Sequence, residues 1–368
     1  MNIICNKNQL AKGAGIVSRA VSGKTTLPIL ECILLDASSG EFTLIGNDLD
    51  MGIKTVLDAN IKEQGTIAVN AKIFNEIIRK LPDEDVSIET DERNNITIRC
   101  AKSKFNIPGQ NSADFPELPT VESNHQLVLS QGMFKNMIHE TIFSIAPEDS
   151  GRPILTGELI DVRDGYLHLV AVDGFRISMR RTEVHSENDF KVTVPGKALN
   201  EIHKILASED DELMTVSFTG KHILFQMNET LVVSRLLEGE FLQYQRNLSM
   251  DFTSKIRISK KDLLDSIDRA ALISRESKNS PVRLEIDKEK MVITSNTELG
   301  SAYEEVPLQL DGEGLTIAFN PKYYLEALRV IDEEEVCILY SSSLTPCIIQ
   351  DPEKEDYQYF ILPIRLHA

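Results

Sequence analysis

Three stretches of this sequence carry residue types that could do chemistry. Ser22-Gly23-Lys24-Thr25 has the Gly-Lys-Thr that ends a phosphate-binding loop, where backbone N–H groups cradle phosphate and the lysine neutralises it. The full motif needs a glycine five residues before Gly23, and Ser18 stands there. It also needs a strand before and a helix after. Here a helical pattern precedes and Pro28 follows closely, so a basic loop fits better. Asp48-Leu-Asp50 sets two carboxylates on one side of a strand, as a metal pair requires. With no histidine or third carboxylate nearby, an exposed strand edge or turn is the better reading. The seven histidines show no metal spacing, and no Gly-x-Ser-x-Gly occurs. Nothing assembles nucleophile, base and oxyanion donors, so no catalytic residue, metal or cofactor is expected. The last stretch, Tyr359-Phe-Ile-Leu-Pro363-Ile-Arg365-Leu366, reads two ways. It is a final core strand, or it walls an apolar surface groove, because Pro363 ends ladder pairing and Arg365 must reach solvent or an anion.

The elements around these residues repeat. Thr66-Ile-Ala-Val-Asn-Ala-Lys72 leads to Glu76, Lys191-Val-Thr-Val-Pro-Gly-Lys197 to Glu201, and Thr316-Ile-Ala-Phe-Asn-Pro-Lys322 to Glu326, each 125 residues after the last. Each reads as a short strand entering a helix. Pro28-Ile-Leu30 recurs as Pro153-Ile-Leu155, and Asp48 as Asp173, at the same interval. The repeat starts Ile3–Asn6, Leu127–Ser130 and Ile256–Ser259 each end on a residue whose side-chain oxygen can cap a following helix. So one unit recurs three times, each as strand, helix, strands, helix, strands. The expected fold is α+β: three repeated domains, each with two helices packed on antiparallel β-sheets. The domains are expected at 1–121, 125–249 and 254–368. The expected helices are 7–21, 70–81, 130–146, 195–207, 259–275 and 320–331, with apolar faces such as Leu10, Ile16, Val17 and Ala20, or Ile73, Phe74, Ile77, Ile78 and Leu81.

Net charge is −18, which taken whole argues against nucleic acid. Its distribution argues otherwise. The six helices hold 15 Lys/Arg and 7 Asp/Glu, a net of +8, which leaves −26 for the remainder. Residues 1–30 contain Lys7, Lys12, Arg19 and Lys24 and no acid. A focused positive face on an acidic body can hold a polyanion there and repel it elsewhere. The five cysteines are odd in number and widely spread, which fits packed thiols in a reducing cytoplasm. No signal-peptide pattern or membrane-length apolar stretch is seen.

Several elements together resemble the bacterial sliding clamps, the beta subunits of DNA polymerase III. They are Leu27-Pro-Ile-Leu30, Gly46-Asn-Asp-Leu-Asp-Met51, Ala113-Asp-Phe-Pro116, Val170-Ala-Val-Asp-Gly-Phe-Arg-Ile177, Glu238-Gly-Glu-Phe241 with Tyr244 and Arg246, and Leu362-Pro-Ile-Arg-Leu366. The resemblance covers the whole chain in order. It implies a head-to-tail homodimer with pseudo-sixfold symmetry, a ring whose helices surround duplex DNA without reading its bases. The function it implies is that of a replication processivity factor, non-catalytic, that tethers the replicative polymerase. Read this way, Lys7, Lys12, Arg19, Lys24, Lys72, Arg79, Lys80, Lys135, Arg152, Lys197, Lys204 and Lys322 face DNA. The resemblance also implies a groove for short linear peptides of polymerase, clamp loader and repair proteins. Its residues are Leu155, Val172, Gly174, Phe175, Arg176, Ile177, Leu242, Arg246, Asn320, Tyr323, Phe360, Leu362, Pro363, Ile364, Arg365 and Leu366, with Arg176, Arg246 and Tyr323 at a polar rim. Phe105 and Ile107 are implied to meet Leu272 and Ile273 of the partner, with Lys104 and Glu304 or Glu305 pairing across. The chain departs from the family where Phe175 replaces a frequent His, Leu242 a frequent Pro and Val172 a common Thr. His367 and Ala368 extend past the usual end. Two rival readings are an acidic three-repeat protein scaffold without DNA and a nucleotide-using enzyme built on Lys24.

Overall fold

The computed structural model describes residues 1–23, 25–121, 126–186, 188–247, 251–274 and 281–365. The first repeat runs β1 (Asn2–Asn6), α1 (Lys7–Val17), β2 (Cys32–Asp36), β3 (Phe42–Asn47), β4 (Met51–Leu57), β5 (Ala59–Glu63), β6 (Thr66–Asn70), α2 (Ala71–Lys80), β7 (Asp85–Thr90), β8 (Asn95–Cys100) and β9 (Ser103–Gln110). The second runs β10 (Gln126–Ser130), α3 (Gln131–Thr141), β11 (Gly157–Arg163), β12 (Tyr166–Val172), β13 (Arg176–Glu183), β14 (Phe190–Pro195), α4 (Gly196–Ile205), β15 (Leu213–Phe218), β16 (His222–Met227) and β17 (Thr230–Arg235). The third runs β18 (Ser254–Ser259), α5 (Lys260–Ser274), β19 (Val282–Ile286), β20 (Lys290–Thr297), β21 (Gly300–Gly312), β22 (Leu315–Phe319), α6 (Pro321–Arg329), β23 (Glu335–Tyr340), β24 (Cys347–Gln350) and β25 (Tyr357–Ile361).

The expected helices are all present, and five of them end earlier than expected; the residues that follow α5 lie outside those described. Two of the stops have a side-chain cause. Ser18 Oγ donates back to Ala14 O at 2.7 Å, and Thr141 Oγ1 donates to Met137 O at 2.7 Å. Each hydroxyl occupies a carbonyl four residues back, and the chain continues as a 3-10 turn. The starts follow the sequence. Asn6 Oδ1 accepts from Asn8 N at 2.9 Å, Ser130 Oγ from Met133 N at 3.2 Å, and Ser259 Oγ from Asp262 N at 3.3 Å. These bonds satisfy helix N–H groups that lack a partner within the helix.

One expected apolar face is corrected. On α2 the fully buried residues are Ala71, Phe74 and Ile78, whereas Ile73 is 47% exposed and Ile77 half-buried. Both isoleucines lie at the margins of the stripe. On α1 the buried set is Leu10, Gly13, Ala14 and Val17. A Cβ at Gly13 would stand 2.9 Å from Leu57 Cδ2 on β4, so the leucine would have to shift to admit one.

The chain divides into two compact units, 1–133 with 201–236, and 134–200 with 237–368. The first contains a 13-stranded sheet in the order β10-β15-β16-β17-β4-β3-β2-β6-β9-β8-β7-β1-β5. The second contains a 12-stranded sheet, β14-β11-β12-β13-β25-β24-β23-β18-β21-β20-β19-β22. The division passes through the second repeat because antiparallel ladders join repeats within each unit. In the first unit β17 pairs with β4 over Thr230↔Thr55 to Ser234↔Met51, and the Thr55 and Thr230 hydroxyls meet at 3.0 Å. In the second unit β13 pairs with β25 over Arg176↔Ile361 to Arg180↔Tyr357. In the second unit α5 and α6 bury Leu263, Ile267, Tyr324 and Leu328 against the sheet. The five cysteines are buried and free. Among the described residues no helix is long and apolar enough to cross a membrane.

Candidate functional site

The motifs set aside as decoys stay so. A helix and a 3-10 turn precede Gly23 and another 3-10 turn starts at Pro28, so the strand and helix of a phosphate loop are absent among the described residues. Lys24 lies outside them. Asp48 forms a turn: its Oδ1 accepts from Asp50 N at 3.1 Å and Met51 N at 2.8 Å. No cluster of metal-ligating residues occurs among the described residues.

The equivalent turn one repeat later shapes a surface site. Asp173 Oδ1 accepts from Phe175 N at 2.9 Å and Arg176 N at 3.1 Å, and Gly174 takes a φ of 94°. Glycine meets that backbone requirement without strain. The tight hairpin pushes Phe175 outward, 59% exposed, and turns Arg176 inward, 6% exposed. Beneath it, Leu155, Val172, Ile177 and Phe360 pack with Tyr244 in one buried cluster. Leu242 and Leu362 stand exposed, at 48% and 41%. Leu362 N donates to Phe175 O at 2.9 Å and Ile364 N to Ala318 O at 2.8 Å, which fixes the C-terminal segment alongside. Pro363 and Ile364 are half-buried and Arg365 is exposed. The side chain of Arg246, and Leu366, His367 and Ala368, lie outside the described residues.

A cavity of about 580 Å³ opens beside the hairpin, lined by Phe175, Arg176, Tyr323, Lys197 and Lys322 among others. Phe175 stacks on Tyr323 with centroids 6.2 Å apart and planes at 20°. Asn320 caps α6 by accepting from Lys322 N at 3.0 Å, which places Tyr323 in its first turn.

One expected rim residue and one expected wall residue lie deeper than expected. Arg176 is no exposed rim group. Its Nε donates to Asp173 at 2.9 Å, Nη1 to Glu326, and Nη2 to Phe143 O at 2.6 Å, and its guanidinium lies 4.6 Å from the Tyr323 centroid. Desolvation makes an unpaired buried guanidinium costly, so all three nitrogens are engaged. Arg176 fastens β13 to α6 and shapes the cavity wall from within. Leu155, likewise, is core rather than exposed wall, at 6% exposure.

Of the cations expected on the DNA face, Lys12, Lys72, Arg79, Lys80, Arg152, Lys197, Lys204 and Lys322 are exposed, and Lys7, Arg19 and Lys135 half-buried. Arg19 pairs with Glu201 at 2.9 Å, and Lys204 with the same carboxylate at 2.6 Å. That charge is partly neutralised within the chain.

Among the described residues, two stretches of strand edge are unpaired besides those of the terminal strands β5, β10, β14 and β22. Over Ser103–Pro108, β9 pairs only with β8, and over Gly300–Pro307, β21 pairs only with β20. Phe105 is 39% exposed and Ile107 half-buried on the first edge. Tyr303 is 63% exposed on the second, and Leu272, on α5 packed against β21, is 57% exposed. Ile273 is half-buried. Glu304 is held by Arg269 through two bonds of 2.9 and 2.7 Å, and Glu305 by Lys290 at 2.8 Å. Both expected cross-chain carboxylates therefore already have partners.

Family models for the DNA polymerase III beta subunit match in chain order: the N-terminal domain over residues 1–119, the central domain over 128–243 and the C-terminal domain over 245–365. The chain belongs to the DNA polymerase III beta subunit family, the bacterial sliding clamps. It is 32% identical to the beta sliding clamp of Halalkalibacterium halodurans and 32% to that of Bacillus subtilis, with full coverage of both chains in each case. Among solved structures it matches a putative DNA polymerase III beta subunit from Eubacterium rectale at a TM-score of 0.96 and 45% identity. The Bacillus subtilis sliding clamp matches at 0.95 and 32%; each match covers 100% of both chains. The fold is that of three clamp domains, and the chain is a non-catalytic accessory subunit in DNA replication.

Sequence reading missed one group in this clamp. Glu140 on α3 faces Arg180 on β13 at 2.8 Å, with Asp332, Glu333 and Asp356 nearby. Burial pushes its carboxyl up to about 7, while Arg180 pulls the other way. The folded chain thus holds this proton more tightly than the unfolded chain, whose carboxyl titrates near 4.5. The stability that this group contributes is full below that value and is lost as pH rises through about 7. Glu140→Gln is expected to raise stability by about 1–2 kcal/mol at pH 8 and by little at pH 5. Thermal unfolding of both chains at the two pH values checks this; equal shifts at both would reject it.

Proposed function

We propose that two copies of this chain close head to tail into a ring around duplex DNA and slide along it. One observation carries this reading. The fourth strand of the first repeat pairs with the last strand of the second, as β4 with β17, and the same rule joins β13 to β25. Applied once more, it leaves β21 and β9 as the unmatched pair, and these have the open edges. A second copy satisfies both through C2 symmetry, the commonest closed form. Closure then covers these two edges, which would otherwise invite pairing with other chains. The domains are taken as 1–121, 125–249 and 254–368, and the working compartment as the cytoplasm. Light scattering that gives one or three chains at micromolar concentration would overturn the ring.

The site beside Phe175 is read as the groove for linear peptides of the replicative polymerase, the clamp loader and repair proteins. Exposed apolar side chains beside a polar cavity are what a short anchored peptide needs. A hexapeptide carrying Gln and a Leu-Phe pair is expected to bind with a Kd of roughly 1 μM, about −8 kcal/mol. Leu242→Ala with Leu362→Ala should weaken it by about 2 kcal/mol, with the dimer intact. These two are better probes than Leu155, whose truncation would open the core. Isothermal titration is the measurement, and equal affinities in parent and variant would show that the groove lies elsewhere.

A further inference from the structure

The 3-10 turn Tyr244–Asn247 begins two residues after Leu242, and Tyr244 and Leu242 differ sharply in environment. Tyr244 is 1% exposed and Leu242 is 48% exposed. Tyr244 Oη donates to Asp161 Oδ2 on β11 at 2.8 Å, and Gln245 Nε2 reaches the same oxygen at 3.4 Å. Asp161 is fully buried, flanked by Arg163 at 3.6 Å and Lys191 at 3.8 Å. The Arg163 guanidinium lies 5.6 Å from the centroid of the Tyr244 ring. From the backbone side, Tyr244 N donates to Leu242 O at 2.8 Å. The ring itself packs among Leu155, Val172 and Phe360.

A tyrosine that only filled core volume would need no carboxylate acceptor. A buried carboxylate is expensive to maintain without partners, and here two successive residues of one turn donate to it. Burial, with Asp161 adding to it, raises the Tyr244 phenol well above its ordinary range, so the hydroxyl remains a donor. The anchor therefore fixes the turn, and the Tyr244 N to Leu242 O bond carries that order to the exposed leucine. We infer that Asp161 and Tyr244 are positioning residues for the peptide groove, a buried latch that holds Leu242 at its wall. This rests on the groove reading above. The latch touches no peptide; it sets the geometry of a residue that does.

The test titrates the full-length dimer with the hexapeptide carrying Gln and the Leu-Phe pair. Tyr244→Phe keeps the ring in the core and removes only the hydroxyl. It should weaken binding about tenfold, the scale of one hydrogen bond to a charged group. Combined with Leu242→Ala it should add nothing beyond Leu242→Ala alone, whereas combined with Leu362→Ala the two losses should multiply. A purely structural role would give multiplication in both pairs, and that result, or parent-like affinity in Tyr244→Phe, would overturn the latch. If the parent chain does not bind the peptide, the groove reading fails first and the latch falls with it. Should Tyr244→Phe lower the unfolding midpoint, Asp161→Asn provides a second variant. It keeps an acceptor oxygen, so a latch predicts partial recovery of affinity relative to Asp161→Ala, and no recovery would count against it.

Discussion

The chain carrying Ile107→Asp and Leu272→Asp is expected to run as a single 41.3 kDa species at micromolar concentration, while the parent runs as two chains. The proposed interface joins the open edge of β9 to the open edge of β21. Ile107 stands on the first, and Leu272 stands on α5 against the second. C2 symmetry places each substitution in both interfaces of a ring. An aspartate desolvated there without a partner costs several kcal/mol, and Glu304 and Glu305 add repulsion nearby rather than relief. Leu272 is 57% exposed in the single chain, so its change should leave the fold within about 0.5 kcal/mol. Ile107 is half-buried and its change will cost more, so Leu272→Asp alone serves as the control for folding. Light scattering across a concentration series measures the outcome. A dimer that survives both substitutions would place the interface elsewhere.

The sequence made local structure legible because local structure depends on local period and caps. Asn6, Ser130 and Ser259 could be read as helix starts, and the structure shows each accepting the bond that makes it one. Asp173 stands 125 residues after Asp48, and both side chains cap the same kind of turn. The joins between repeats were not legible. Thr55 and Thr230 are 175 residues apart, and alternation along either strand says which face is buried but not which strand lies beside it. Charged residues were hardest to place. Arg176 follows an exposed turn and resembles a surface contact, yet Asp173, Glu326 and Phe143 O converge on it from three segments. Asp161 and Glu140 gave no signal at all, since an acid within a strand or helix reads as solvent-facing until its neighbours are known. The family resemblance supplied the candidate groove residues, and the structure leaves Leu155, Val172, Ile177 and Phe360 in the core, Arg176 as a fastener and Phe175, Leu242 and Leu362 exposed.

Retention on DNA is expected to depend on the topology of the DNA and only weakly on salt. Unassisted affinity for linear duplex should be low, because the chain carries −18 overall and its helix cations are partly matched, as Arg19 and Lys204 are by Glu201. What binding remains is phosphate-directed and should fall steeply between about 50 and 200 mM salt. A ring loaded on a nicked circle is held differently, since escape requires opening one of its interfaces rather than releasing counterions. Its lifetime at about 0.5 M salt should exceed that on the same DNA after linearisation by roughly a hundredfold, equivalent to about 2.7 kcal/mol of kinetic barrier. Gel filtration of loaded circles before and after one restriction cut measures this. Replacing exposed Lys12, Lys72 and Lys197 by Glu should impair loading and leave retention on circles nearly unchanged, because those residues attract the duplex without closing the ring. If the cut does not release the protein, the contacts are holding the DNA, and a clamp that slides is the wrong description.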